Sequence, residues 1–240
     1  MPRQVPQQSL DRLDPARRNR ARAALGVSDP AAFIAAQTTL ARPPLVPEIA
    51  LHLATEITPI WQATEAELAR MNLPPPYWAF AWPGGQALTR FVLDHPEWVK
   101  GKRVLDFAAG SGLSAIGAAL AGAARVEAAE IDAYAGAAIL LNAKANKVAV
   151  DLVVEDLIGQ PARWEIVLAG DVCYEKPMAD RVIGWFRALA SRGVAVLMGD
   201  PGRAYLPSGG LVELARYRVP TTLELEDREM RETIVWRLMP

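Results

Sequence analysis

The chain has 240 residues, of which 51% are hydrophobic and 22% are charged. This composition excludes a disordered or fibrous protein, because disordered chains combine low hydrophobicity with high net charge. A formal net charge of −1 excludes a strong electrostatic field that would attract nucleic acid or an anionic membrane. A single cysteine excludes an internal disulfide framework. With no apolar run of the roughly 18 residues that span a bilayer and no apolar core in its first ten residues, we expect a soluble, intracellular protein without nucleic-acid or membrane partners.

The charge is unevenly distributed along the chain. Residues 1–25 carry a net charge of +4, and the remainder carries −5. Asp-Pro pairs, which favour helix starts, predict short helices over 14–25 and 29–40. We therefore predict a basic N-terminal arm over residues 1–47 and a single domain over residues 48–240.

The rest of the chain alternates between strand and helix patterns. An amphipathic segment at 86–99 predicts a helix that ends near His95-Pro96, and the segment 48–68 has no clear pattern. Strands are predicted at 103–107, 125–131, 149–154, 165–170 and 193–199, and helices at 113–122, 133–146 and 176–191. Such alternation predicts an α/β fold with a mostly parallel sheet covered on both faces. The segments 215–226 and 231–239 have no helix between them, which predicts a C-terminal antiparallel hairpin.

A glycine-rich loop follows the first of these strands. Asp106 is followed by Gly110 and Gly112, and glycines allow a tight turn and the close approach of a ligand. Glu130 lies 20 residues after Gly110, at the end of the second strand, where a carboxylate binds ribose hydroxyls in nucleotide-binding folds. The glycine motif alone is a weak signal, but its position after a strand and its spacing to Glu130 together predict a nucleotide-binding site.

The charge of Asp106 separates two ligand classes. A carboxylate at this point would repel a pyrophosphate, whereas it suits the ammonium and sulfonium of S-adenosylmethionine. The pattern thus resembles motif I of the seven-stranded, Rossmann-like methyltransferases, whose strand order also ends in an antiparallel hairpin. Glu127 and Asp132 are rivals of Glu130, but strand alternation favours Glu130.

The resemblance implies further cofactor positions. An acidic residue after the third strand reaches the adenine amino group in that family, which indicates Asp156, with Glu155 as the alternative. Trp82 is a candidate for packing on the sulfonium or the adenine. The remaining cofactor candidates are neighbours of these positions in the chain: Ala108, Ile131 and Leu157.

The acceptor of the methyl group is expected where the fourth strand ends. Asp171, Tyr174 and Glu175 lie there, and the carboxyl ends of parallel strands open on the ligand crevice. Carboxylates can attract and orient a lysine amine, so we predict Asp171 as the acceptor-orienting residue and Tyr174 as a wall of the channel, with Glu175 a weaker candidate. Cys173 is expected to be a buried small residue.

The fifth strand ends on the same rim. Asp200 and Arg203 follow it and are candidates for polar lining of the acceptor channel, the alternative being an ordinary Pro-Gly turn. No Cys/His cluster has metal-ligand spacing, so we expect no metal.

Several segments together carry a closer resemblance. The residues from Asp171 to Tyr174 resemble the Asp-x-x-Tyr signature of seven-stranded protein-lysine methyltransferases. More narrowly, the chain resembles the electron transfer flavoprotein beta-subunit lysine methyltransferases in EIALHLAT (48–55), PYWAFAWPGGQALTRFVLD (76–94), VLDFAAGSG (104–112), AEID (129–132) and GDPGRAYLP (199–207). This resemblance implies a Rossmann-like methyltransferase that uses S-adenosyl-L-methionine, releases S-adenosyl-L-homocysteine and modifies a lysine of a protein similar to that beta subunit.

Alternative functions share much of this core. The acceptor is then a ribosomal protein or a small amine such as nicotinamide, or the chain is a non-enzymatic binding module. The Ala/Arg-rich style of the chain favours a bacterial, cytoplasmic member, with the mitochondrial matrix as the expectation for a eukaryotic one. We expect a monomer.

Overall fold

The structure is a computed structural model and describes residues 29–54, 75–222 and 226–240. The predicted helix at 14–25 and most of the unassigned segment 48–68 lie outside these ranges. The strands are β1 (Thr39–Ala41), β2 (Leu51–Leu53), β3 (Arg103–Phe107), β4 (Arg125–Ala129), β5 (Asp151–Val153), β6 (Ile166–Gly170), β7 (Ala195–Asp200), β8 (Leu211–Pro220) and β9 (Met230–Leu238). The α-helices are α1 (Pro30–Gln37), α2 (Pro83–Asp94), α3 (Leu113–Leu120), α4 (Ala133–Ala145) and α5 (Lys176–Ala190).

Within the described ranges, seven strands form one sheet in the order β5-β4-β3-β6-β7-β9-β8. Strands β3 to β7 pair in parallel, and β9 pairs antiparallel with both β7 and β8. The chain runs outward from β3 to β5 and returns to β6 beside β3, which makes the β3–β6 boundary the point where ligands bind in open α/β sheets. The predicted α/β fold with a C-terminal hairpin is confirmed.

The sheet is covered on both faces because its strands are apolar on both sides. Val104 and Leu168 pack in one cluster with α2, α3 and α4, whereas their neighbours Leu105 and Val167 pack in another with α5. This alternation is the period-two geometry of a strand.

The first turn of α2 lies directly on the carboxyl ends of β6 and β7. A Cβ atom on Gly84 would lie 2.2 Å from the carbonyl oxygen of Gly199, and one on Gly170 would lie 2.7 Å from the backbone nitrogen of Gly85. Only glycine permits this approach. The Gly-Gly pair after Pro83 therefore brings the start of α2 onto the edge of the sheet where the acceptor residues were predicted.

Residues 29–54 pack against α4. Asp29 accepts a hydrogen bond from Ala31 N–H at 3.0 Å and caps α1 as predicted, but α1 ends at Gln37 because the next residues form β1, which pairs with β2. Asn142 on α4 accepts the N–H of His52 at 2.7 Å. The β1–β2 pair spans the predicted boundary at residue 47, so the described part of the arm is joined to the domain.

No helix in the described ranges is long and apolar enough to cross a membrane.

Candidate active site

The loop after β3 has the backbone geometry that its glycines permit. Gly110 has φ +53°, and Gly112, which precedes α3, has φ +77°. Ala108 also has a positive φ of +53°. A Cβ atom on Gly110 would have its nearest neighbour 3.9 Å away, at Trp78 Cα, so the surface of the loop is open to close approach.

Asp106 lies beneath this loop and is 2% exposed. Its Oδ2 accepts a hydrogen bond from Ala115 N–H, in the first turn of α3, at 2.8 Å. Burial raises the pKa of Asp106 well above its ordinary value, and the charge of Glu130 adds to the rise. Asp106 thus joins the strand to the helix, and its expected contact with a ligand ammonium stays a prediction.

Glu130 joins β4 to the glycine loop. Its Oε2 accepts the N–H of Gly110 at 3.1 Å, and its Oε1 accepts the N–H of Ile131 at 2.8 Å. Burial raises the pKa of Glu130, and these backbone bonds oppose the rise. The structure therefore places Glu130 beside the loop, as the spacing predicts.

The two rivals of Glu130 are engaged elsewhere. Glu127 accepts hydrogen bonds from Arg163 and from the indole of Trp164, both at 2.9 Å. Asp132 caps α4 by accepting the N–H of Tyr134 at 2.9 Å. Neither side chain therefore replaces Glu130 at the loop.

A nucleoside fits the surface around Glu130. A carboxylate has about four acceptor positions, so its oxygens retain capacity for ribose hydroxyls. The adjacent Ile131 side chain is 74% exposed and offers an apolar surface to a base. The acceptor oxygens of Glu130, the exposed Ile131 and the open loop thus suit the adenosine part of S-adenosylmethionine.

Asp156 lies after β5 and is exposed. It accepts the N–H of Ile158 at 3.0 Å and pairs with Arg181 at 2.8 Å, and these two partners lower its pKa. Glu155 is exposed beside it. Leu157 is 1% exposed and packs in the core, so a ligand contact at this position would come from its backbone.

Asp171 follows β6, with φ +57°, and its carboxylate is held from two sides. Oδ1 accepts two hydrogen bonds from Arg203, at 3.0 Å from Nε and 2.7 Å from Nη2, and Oδ2 accepts the N–H of Gly85 at 3.2 Å. Burial raises the pKa of Asp171 to about 6, and Arg203 opposes the rise. The sequence suggested a carboxylate facing an open channel, whereas the structure shows one that is already paired.

Glu226 is a residue of this region that sequence reasoning missed. It is 2% exposed in its side chain and accepts from Arg203 Nη2 at 2.5 Å and from Arg231 Nε at 2.9 Å. It appeared in the sequence only as the last residue of a predicted strand, because no local pattern links it to Asp171. A buried carboxylate in the hairpin needs such partners.

Asp200 shapes the turn that carries Arg203. Its Oδ1 accepts the backbone N–H groups of Gly202 and Arg203, both at 2.7 Å. Its Oδ2 is buried and has no hydrogen-bond partner among the described residues. Asp200 therefore supports the turn, while Arg203 is the member that reaches Asp171.

Three aromatic side chains, Tyr77, Trp82 and Tyr174, form a cluster that reaches Arg203, the ion-pair partner of Asp171. Tyr174 is 45% exposed, and its ring lies 5.8 Å from that of Tyr77. Trp82 donates from Nε1 to the carbonyl oxygen of Tyr77 at 2.8 Å, and the guanidinium of Arg203 lies 5.7 Å from the Trp82 ring. Trp82 thus lies against Arg203, and its predicted packing on the cofactor stays a prediction.

The remaining predicted residues of this segment have distinct environments. Glu175 is exposed at the start of α5 and forms no side-chain cap there. Cys173 is fully buried, and burial raises the pKa of its thiol to about 12. The expectation that Cys173 is a buried small residue is confirmed. Within the described ranges, no group of three or more His, Cys, Asp or Glu side chains is arranged to hold a metal ion.

Comparison with known proteins gives two kinds of relative. The family model "Ribosomal protein L11 methyltransferase (PrmA)" matches residues 56–172. The electron transfer flavoprotein beta subunit lysine methyltransferase of Xenopus laevis is 39% identical over 218 residues, which cover 88% of this chain and 87% of that protein. The Homo sapiens protein of the same name is 34% identical, over 82% of this chain and 76% of its own.

The chain belongs to the electron transfer flavoprotein beta subunit lysine methyltransferase family. It is therefore an S-adenosylmethionine-dependent methyltransferase, and the predicted resemblance and enzyme class are confirmed. Among solved structures, "Crystal Structure of Thermoplasma acidophilum 1320 (APC5513)" is similar in fold, with a TM-score of 0.50 and 17% identity over 64% of this chain and 89% of that chain.

Proposed function

We propose that this chain transfers methyl groups from S-adenosylmethionine to a lysine of a protein similar to the beta subunit of electron transfer flavoprotein. The observation that carries this proposal is the 39% identity to a methyltransferase of that name over 88% of the chain. The site supports it, because the glycine-rich loop after β3, Glu130 and the segment from Asp171 to Tyr174 all lie at the carboxyl ends of parallel strands, on one edge of the sheet.

The residues of the chain divide the work of methyl transfer. When bound, S-adenosylmethionine would supply a methyl group on a sulfonium sulfur, for transfer to a neutral amine nitrogen of the acceptor. Glu130 accepts hydrogen bonds from the ribose hydroxyls. The aromatic side chains of Tyr77, Trp82 and Tyr174 exclude water from the path of methyl transfer. Asp171 attracts and orients the acceptor amine, whose proton leaves to water.

Mass spectrometry of the candidate substrate tests this proposal. The purified enzyme is incubated with S-adenosylmethionine and recombinant flavoprotein, and the beta subunit is digested and searched for lysines heavier by one or more methyl groups. The matched control omits the enzyme. We expect a methylated lysine only with enzyme. No modification, with S-adenosylhomocysteine shown to bind by calorimetry, would contradict the substrate assignment.

A ribosomal protein is the second candidate acceptor, since the L11 methyltransferase model matches residues 56–172. Incubation of a cell extract with cofactor labelled in its methyl group separates the alternatives. Label in the flavoprotein band favours the first candidate, label in a small ribosomal protein favours the second, and a labelled small product indicates an amine such as nicotinamide.

The cellular setting is also a proposal. The relatives compared above come from animals and do not support the predicted bacterial origin. We propose a monomeric state, and a location that follows the source of the chain: the cytoplasm for a bacterium and the mitochondrial matrix for a eukaryote. Light scattering of the purified protein tests the first, and fractionation of the source cells tests the second.

A further inference from the structure

A series of ion pairs connects Asp171, through Arg203, to Glu226 and to Arg231 on β9. Arg203 Nη2 lies 2.7 Å from Asp171 Oδ1 and 2.5 Å from Glu226 Oε1, so one nitrogen bridges two carboxylates. Glu226 is in turn bound by Arg231 at 2.9 Å. The side chains of Asp171, Arg203 and Glu226 are 11%, 17% and 2% exposed. These charges are therefore largely withdrawn from water.

Because these ion pairs are buried, their geometry affects the charge and orientation of each side chain. A buried charge is costly unless it is paired and hydrogen-bonded, and removing one partner leaves the other uncompensated. The planar fork of arginine fixes direction as well as charge, which the compact ammonium of lysine does not. Glu226 thus holds the guanidinium in the orientation in which it meets Asp171.

The groups that face Asp171 come from several elements. Arg203 and Asp200 belong to the segment that ends β7, Glu226 precedes β9, the N–H of Gly85 belongs to α2, and Cys173 lies two residues along the same loop. Among these groups, Arg203 is the one that carries a positive charge. The charge and direction of the Asp171 carboxylate therefore depend on Arg203.

We propose that Arg203 and Glu226 are positioning residues for methyl transfer: Glu226 anchors the Arg203 guanidinium, and Arg203 orients the Asp171 carboxylate toward the acceptor amine. The inference rests on the proposed function, because it takes Asp171 as the residue that meets the amine. It assigns Glu226, which precedes β9, a role in the acceptor site and not in the cofactor site.

The test compares the variants R203M, R203K and E226Q with a matched control. E232Q removes the same charge from an exposed carboxylate that pairs with Arg216 on the same hairpin. We expect R203M to lower kcat about 100-fold and E226Q about 10-fold, the range caused by misplacing a reacting group. R203K should recover part of the loss. The affinity for S-adenosylhomocysteine, measured by calorimetry, should stay within about twofold of the wild type.

Two results of this comparison would overturn the inference. One is an E226Q rate equal to that of E232Q, and the other is a loss of S-adenosylhomocysteine affinity as large as the loss of kcat. If R203M does not fold, R203K and E226Q decide, and thermal unfolding of each variant identifies that case.

A readout that needs no methyl transfer separates this inference from the proposed substrate. Carbon NMR of the Asp171 carboxyl, assigned by its loss in D171N, gives the midpoint of its titration. We expect R203M, or R203Q where R203M does not fold, to move this midpoint to higher pH, because both variants remove the positive charge that opposes the rise of the Asp171 pKa. An unmoved midpoint contradicts the inference even if the wild type leaves flavoprotein unmodified, a result that would itself contradict the substrate assignment.

Discussion

The proposed cofactor side, which holds Asp106 and Glu130, and the proposed acceptor side, which holds Asp171 and Glu226, bind their carboxylates in different ways. On the cofactor side, Asp106 and Glu130 bind backbone N–H groups 9 and 20 residues away in the chain. On the acceptor side, Arg203 binds Asp171 and Glu226, which are 32 and 23 residues away, through side-chain ion pairs. Backbone donors are fixed by the fold, whereas an ion pair depends on the identity and charge of two side chains. Substitutions should therefore affect the two sides separately.

The largest expected effect is that of D171N on methyl transfer. The amide cannot attract an ammonium and pairs poorly with Arg203, so we expect a rate about 100-fold lower. Calorimetry should show S-adenosylhomocysteine affinity close to that of the wild type. The control is D180N, which removes an exposed aspartate that pairs with Lys176 on α5. An equal loss of cofactor affinity would show that the two sides are not separate.

The glycine pair at the start of α2 provides the next test, since this turn contacts the acceptor side. In G84A, the new Cβ meets the Gly199 carbonyl oxygen at 2.2 Å and Asp171 Oδ2 at 2.5 Å. Overpacking of this kind costs about 1–3 kcal/mol of unfolding free energy. G85A is the matched control, because its Cβ would have nothing within 4 Å. Denaturant unfolding should show loss for G84A alone, and equal stability of the two variants would contradict the packing argument.

On the cofactor side, E130Q should weaken S-adenosylhomocysteine binding about tenfold. The amide retains one acceptor oxygen but loses the charge-assisted bonds to ribose and to Gly110 N–H. The variant E165Q, which changes an exposed carboxylate paired with Arg103, should bind normally. Transfer at saturating cofactor should stay near the wild-type rate. A fall in kcat with unchanged affinity would place Glu130 on the acceptor side instead.

The difference between backbone hydrogen bonds and side-chain ion pairs also explains which features could be predicted from the sequence. Strand and helix alternation predicted the parallel sheet, and the spacing from Gly110 placed Glu130 at the end of the second strand, because both depend on local pattern. The pairing of Arg203 with Glu226 depends on β9 lying next to β7, which no spacing specifies. Individual residues were nevertheless named on both sides, since strand ends are visible in sequence. The sequence did not predict which acidic side chains pair with Arg203.

The smallest expected effect is a twofold fall in transfer at pH 6. Burial raises the pKa of Asp171 to about 6, so half of the enzyme carries a neutral Asp171 at that pH, beyond the protonation of the acceptor amine itself. D171N should lack this fall in transfer rate.

The stability of the fold should change in the opposite direction with pH. A pKa raised in the folded state means that the folded chain binds the extra proton between about pH 4 and pH 6. The stabilising contribution of Asp171 is thus present on the acidic side and is lost as pH rises through 6. Thermal unfolding of wild type and D171N from pH 7 to pH 5 measures it, and a wild type that gains nothing relative to D171N on acidification would show that Arg203 keeps Asp171 ionised throughout.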